Sequence, residues 1–144
     1  MEITFSLPHV FHPAASQAEE ATALQLCLEF LISVDRAFLR LHPQKSLYRS
    51  GVVYGRTQEW DTVPAVMARG YADCKSLSAW RIAELRERGV ECRPVFRWVR
   101  RRDGHKDFHI LVAVDRKGRT EPLWEDPSKI LGMGSNENVW FNRK

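Results

Sequence analysis

No stretch of this sequence stays apolar over the ~20 residues needed to cross a bilayer. The opening residues, Glu2-Ile3-Thr4-Phe5-Ser6-Leu7-Pro8, lack the basic start and apolar run of a secretory signal. Both absences point to a cytoplasmic protein that does not engage a membrane. Cysteine is scarce, with three in the chain, Cys27, Cys74 and Cys92, and no two are close. That excludes a disulfide framework, so each sulfur is read alone, as a packing residue or a reactive thiol. No Cys-x-x-Cys pair occurs, and neither a bound metal nor a cofactor is expected. There is no internal repeat, linker or low-complexity run, so residues 1–144 read as one domain.

Apolar residues make up 44% of the chain, enough for a real core. The net charge of +4 traces to one cluster, Arg97, Arg100, Arg101, Arg102 and Lys106. The cluster reads as a solvated hairpin end or as a contact for phosphate or an acidic partner. With Trp98 it invites nucleic acid, but there is one short basic stretch and no recognition motif, which puts that partner last.

Residues 2–7 alternate polar and apolar, as a short strand does. Pro8 and Pro13 bracket a connector. Ser16 and Glu19 form a capping box that starts a long helix, with Leu24, Leu28, Leu31, Val34, Phe38 and Leu41 as its apolar stripe. His42-Pro43 ends it. Residues 43–63 read as a loop holding one short strand. Thr62 and Pro64 start a short helix that Gly70 stops. A second main helix spans Asp73 to Arg88, apolar on more than one side, with Gly89 as its left-handed cap. Three strands follow, Arg93–Arg100, Phe108–Val114 and Thr120–Glu125, joined by short turns and hence antiparallel. The tail from Ser128 reads as loop. Helices first and strands afterwards give an α+β fold, with the long helix and the cysteine-bearing helix packed on an antiparallel sheet.

Cys74 falls at the start of the second helix. Free N–H groups and the helix dipole there favour an anion, so a thiolate with a depressed pKa is expected. The alternative is a buried structural cysteine. His109 opens its strand and shares a face with Leu111 and Ala113, taken as the face toward the helices. Asp126 ends the next strand, where its carboxylate can orient an imidazole. Nucleophile, base and orienting acid then lie on three consecutive elements. His105 competes as base but sits in a turn. His9, His12 and His42 lie beside prolines and read as structural, and Cys27 and Cys92 as packing residues.

Asp73-Cys74-Lys75-Ser76-Leu77-Ser78-Ala79-Trp80, then Leu85-Arg86-Glu87-Arg88-Gly89-Val90, resembles the core of transglutaminase-like proteins of the papain-like fold. Phe108-His109-Ile110-Leu111-Val112 is similar to the family's histidine strand and Trp124-Glu125-Asp126-Pro127-Ser128 to its Asp-Pro motif. The likeness covers about residues 60–131, and the chain is similar to small transglutaminase-like proteins of phages and prophages. It departs at Lys75, where many members have an acid, and at Ala72, where many have glycine. The resemblance implies acyl transfer at peptide or carboxamide bonds by Cys74, His109 and Asp126. The substrate is then a peptide or protein, and the outcome proteolysis, amide hydrolysis or transamidation. It places the oxyanion donor at the Cys74 N–H or, upstream, at Trp60 or Gln58, with Asp73 also beside the substrate; Trp60 is equally readable as core. The competing expectation is a non-catalytic module that binds a phage structural protein.

Overall fold

The computed structural model describes residues 16–100, 102 and 106–134. The strand expected at 2–7, the prolines and histidines of the N-terminal connector, and His105 lie outside the described residues.

The first helix, α1, spans Gln17–Leu41. Its capping box forms: Ser16 Oγ accepts from Glu19 N–H at 3.1 Å, and Ser16 N–H donates to Glu19 Oε2 at 2.7 Å. His42 closes it, ring-stacked on Phe38. The buried line is Leu24, Leu28, Leu31, Ile32, Asp35 and Leu39. Val34 and Leu41, expected on that line, are 38% and 79% exposed. The stripe turns with the 3.6-residue period onto Asp35, which a hydrophobicity pattern reads as surface.

Asp35 has a structural task. After a 3-10 turn at Leu47–Arg49 and a short strand β1, Val53–Tyr54, the helix α2 runs over Val63–Arg69. Its N-cap residue Thr62 makes no side-chain cap bond. Asp35 Oδ1 accepts from the Val63 N–H at 2.9 Å instead, so α1 caps α2 through a tertiary contact. Gly70 ends α2 at φ 86°, where a side chain would be strained.

Strand β2, Tyr71–Ala72, runs directly into α3, Cys74–Glu87. Residues 74–80 and 82–85 of α3 are buried. The helix lies between α1 on one side and the main sheet on the other, as its wide apolar surface requires. Arg36 and Arg40 pair with Glu87, and Arg86 pairs with Glu29, fastening α1 to the far end of α3. The main sheet has the order β3-β4-β5, all antiparallel, from Cys92–Arg100, Lys106–Val114 and Leu123–Glu125. A separate parallel pair joins β1 to β2, with Val53 beside Tyr71 and Tyr54 beside Ala72. The architecture is α+β.

Several sequence expectations are corrected. Strand β5 is three residues long and starts at Leu123, not Thr120; Pro122, immediately before it, has no N–H to give a ladder. The tail opens with a one-turn helix α4, Pro127–Ile130, capped by Asp126, which accepts from Lys129 N–H at 3.2 Å. On β4, Ile110 and Val112 belong to the core shared with α3, so these residues, not Leu111 and Ala113, face the helices. The β1–β2 pair was not anticipated, because two residues carry no readable period. No helix among the described residues is long and apolar enough to cross a membrane.

Candidate active site

Cys74 is the first residue of α3, and Asp73 is its N-cap. The start of α3 meets β4 at one residue. The Ser78 hydroxyl donates to Ile110 C=O at 3.3 Å. The Ile110 main chain also lies against the Cys74 sulfur and lowers its pKa, as an N–H turned toward it does. Both polar groups of Ile110 are therefore turned to α3. Strand β5 pairs with β4 only from Val112 onward, and the first turns of α3 take the place of its continuation. The sulfur is thereby placed beside the main chain of the residue next to His109.

His109 is 3% exposed, and its Nε2 lies 2.9 Å from Asp126 Oδ2. The antiparallel register places Val112 opposite Glu125. Extended by one residue, Asp126 falls beside Leu111 and diagonal to His109 on the same face. Pro127 then starts α4, which packs on α3. Asp126 has two tasks, with Oδ1 capping α4 and Oδ2 on the imidazole. Its neighbour Glu125 accepts from Arg81 Nε at 2.6 Å and from the Tyr48 hydroxyl, which anchors β5 to α3. With Nε2–H donated to the carboxylate, Nδ1 is the basic nitrogen of His109.

The thiol does not have the depressed pKa expected of a helix start. Burial pushes it up to about 12, and the Asp73 carboxylate pushes the same way. Lys75 and the Ile110 main chain act against them, and Asp126 adds a further upward push. A partial positive charge at a helix end is small against removal from water and a full negative charge next door. Cys74 therefore rests as a neutral thiol and needs a base to become a nucleophile. Cys92, at the start of β3, is buried and its sulfur faces Ile82 C=O; Cys27 is half-buried on α1.

Lys75 gives this site its own character. Its ammonium is buried, paired with Asp73, and donates to Thr57 C=O at 3.2 Å. It also lies 5.9 Å from the centre of the Trp60 ring. Asp73 accepts from the Lys75 N–H at 3.1 Å as well, so both its oxygens are engaged as cap and counter-ion. Ser76 Oγ accepts from Asp61 N–H at 2.9 Å, and Arg69 pairs with Asp61. Together these contacts tie the 55–62 segment to the first turn of α3. Trp60 is half-buried there, packed against the core, and Gln58 is exposed. In the sequence, Lys75 stands out only as a departure from a family pattern. The part played by Ile110 comes from its main chain, and no residue type signals it.

Asp73→Asn keeps a competent N-cap but removes a charge that raises the Cys74 pKa. Alkylation of Cys74 by iodoacetamide at mildly alkaline pH is expected to rise about tenfold, one pKa unit's worth. Stability should fall by about 3 kcal/mol, because Lys75 loses its buried partner. Intact mass and urea denaturation read the two effects. An unchanged labelling rate would assign the shift to burial alone.

On the basic cluster, Arg97 lies over the Trp124 ring at 5.6 Å and Arg102 is exposed, while Arg101 lies outside the described residues. No group of three or more His, Cys, Asp or Glu is arranged to hold a metal among the described residues. In comparisons with protein-family models, curated proteins and solved structures, nothing matches this chain.

Proposed function

We propose that the chain is a cysteine-nucleophile acyl-transfer enzyme of transglutaminase-like, papain-like architecture, acting on peptide or carboxamide bonds. One observation carries the reading: the Cys74 sulfur lies against the main chain of the residue that follows His109, while His109 is bonded to Asp126. A structural cysteine has no need of an adjoining imidazole–carboxylate pair.

In the proposed reaction, the Cys74 sulfur attacks the carbonyl carbon while its proton passes to His109 Nδ1. Asp126 holds the ring and stabilises the imidazolium. The new oxyanion lies against the start of α3, where the Cys74 N–H is free of intrahelical duty, with the Gln58–Trp60 segment as the second flank. Collapse breaks the C–N bond, and the imidazolium proton leaves with the amine. A thioester remains on Cys74. Water attacks it next, giving up a proton to His109, and the thiol is restored with release of an acid; an amine in place of water gives transamidation. Hydrolysis is the favoured outcome, since transamidation needs a lysine-admitting, water-excluding channel.

The test is iodoacetamide labelling of the folded protein followed by peptide mapping. Labelling of Cys74 ahead of Cys27 and Cys92, slowed by a change at His109, supports the enzyme. Equal labelling of all three cysteines removes it. The buried sulfur and its raised pKa also favour a second reading, a binding or phage-assembly module that keeps the fold without turnover. In that case Cys74→Ala leaves the biological role intact, and charge reversal at Arg100–Arg102 abolishes it.

A further inference from the structure

The strand that leads into Cys74 has one closed side and one open side. On the closed side, Val53 N–H donates to Gly70 C=O at 3.1 Å and Gly55 N–H to Ala72 C=O at 2.9 Å. Strand β1 is in turn closed on its outer side, where Tyr54 N–H donates to Leu131 C=O at 2.8 Å. Strand β2 is the other edge of this two-stranded sheet. Gly70 and Ala72 point their carbonyls at β1, so the alternation of a strand turns the N–H and C=O of Tyr71 the opposite way. Among the described residues, no backbone group is bonded to them.

This edge is held ready. The Tyr71 ring lies so close over Gly55 that a Cβ there would come within 2.7 Å of it. The Arg69 guanidinium lies 5.6 Å from the same ring. Tyr71 and its register partner Val53 are 41% and 53% exposed and stand on one face of the pair. An open strand edge with an apolar flank is complementary to the main chain of an extended peptide, which supplies one N–H and one C=O to each residue it faces. Tyr71 is three residues before Cys74, a span of at most about 10 Å, so a peptide paired there carries its next residues to the sulfur.

We infer that the free edge of β2 is a docking strand for an extended peptide substrate. One substrate residue exchanges two main-chain hydrogen bonds with Tyr71 and sets an apolar side chain against the Tyr71–Val53 face. The inference rests on the acyl-transfer reading and narrows its substrate from any carboxamide to extended, unfolded polypeptide segments.

The test compares chloroacetamide with peptides of about six residues that carry a chloroacetamide group on one side chain, a length that spans the edge and the sulfur. Each main-chain nitrogen of the peptide is methylated in turn. Rates of Cys74 alkylation are read by intact mass and mapped by peptide digestion. The unmethylated peptide should react roughly tenfold or more faster than chloroacetamide, from the two added hydrogen bonds. Methylation of the nitrogen facing Tyr71 should remove about tenfold, and methylation of the next nitrogen, which faces away, less than about twofold. If Cys74 is labelled but the peptide and all its methylated forms match chloroacetamide, edge docking is wrong and the acyl-transfer reading stands. If chloroacetamide prefers Cys92 or Cys27 to Cys74, both fall.

Discussion

His109→Gln is expected to slow acylation of Cys74 by about 10²–10⁴-fold, the usual contribution of a positioned general base. Glutamine can keep a hydrogen bond to Asp126, but it takes up no proton. The loss should be large here because the thiol, pushed up to about 12, has almost no thiolate of its own at neutral pH. The effect should fall on the acylation rate and not on folding, since neither the Asp73 cap of α3 nor the Asp126 cap of α4 involves the imidazole. Asp126→Ala is the informative contrast. It removes both the imidazole partner and the α4 cap, so it should slow the reaction and also cost about 1 kcal/mol of stability. Burst kinetics with an activated ester and urea denaturation separate the two. A His109→Gln protein that acylates at the parent rate would show that the imidazole is a bystander.

The second large effect is in stability, at Asp35. Burial raises its carboxyl from 3.8 to about 8, only partly offset by the Val63 N–H bond, and Oδ2 has no hydrogen-bond partner. The folded state thus keeps a proton that the unfolded chain releases near pH 4. Its contribution is complete below about pH 3.8, declines as pH rises, and is fully lost above about pH 8. The interval corresponds to roughly 6 kcal/mol. Asp35→Asn keeps an oxygen for the Val63 N–H and has nothing to ionise. It should be close to the parent in stability near pH 4 and several kcal/mol more stable near pH 9. Urea denaturation across that range measures this. Parallel curves for the two proteins would mean that Asp35 is not held in its protonated form.

Asp35 also shows where sequence reading stops. The caps at Ser16, Gly70 and Gly89 are local, written within a few residues, and all are legible. So are the α3 helix, the β3–β4 hairpin and the order of the elements, because periodicity and turns are local too. Asp35 reads as polar and outward, yet it caps a helix 28 residues away. The pairing of Tyr71 with Val53 involves two residues a side, too few for a pattern. At the site, the nearness of His109 and Asp126 follows from a hairpin register that short turns make readable. The Cys74–Ile110 contact does not, since it depends on where β5 stops and on main-chain atoms present in every residue. The Cys74 pKa shift runs opposite to the sequence expectation for a related reason. Helix position is visible in sequence, while depth of burial is not.

Everything proposed for this chain requires a covalent acyl-enzyme at one sulfur. The most direct measurement is a stopped-flow burst with p-nitrophenyl acetate, followed by intact mass and peptide mapping of the quenched protein. The account predicts a nitrophenolate burst equal to the protein concentration and an acetyl group on Cys74, with both absent from Cys74→Ala. Acetyl groups spread over Cys27, Cys92 and lysines, with the same time course in Cys74→Ala, would contradict it.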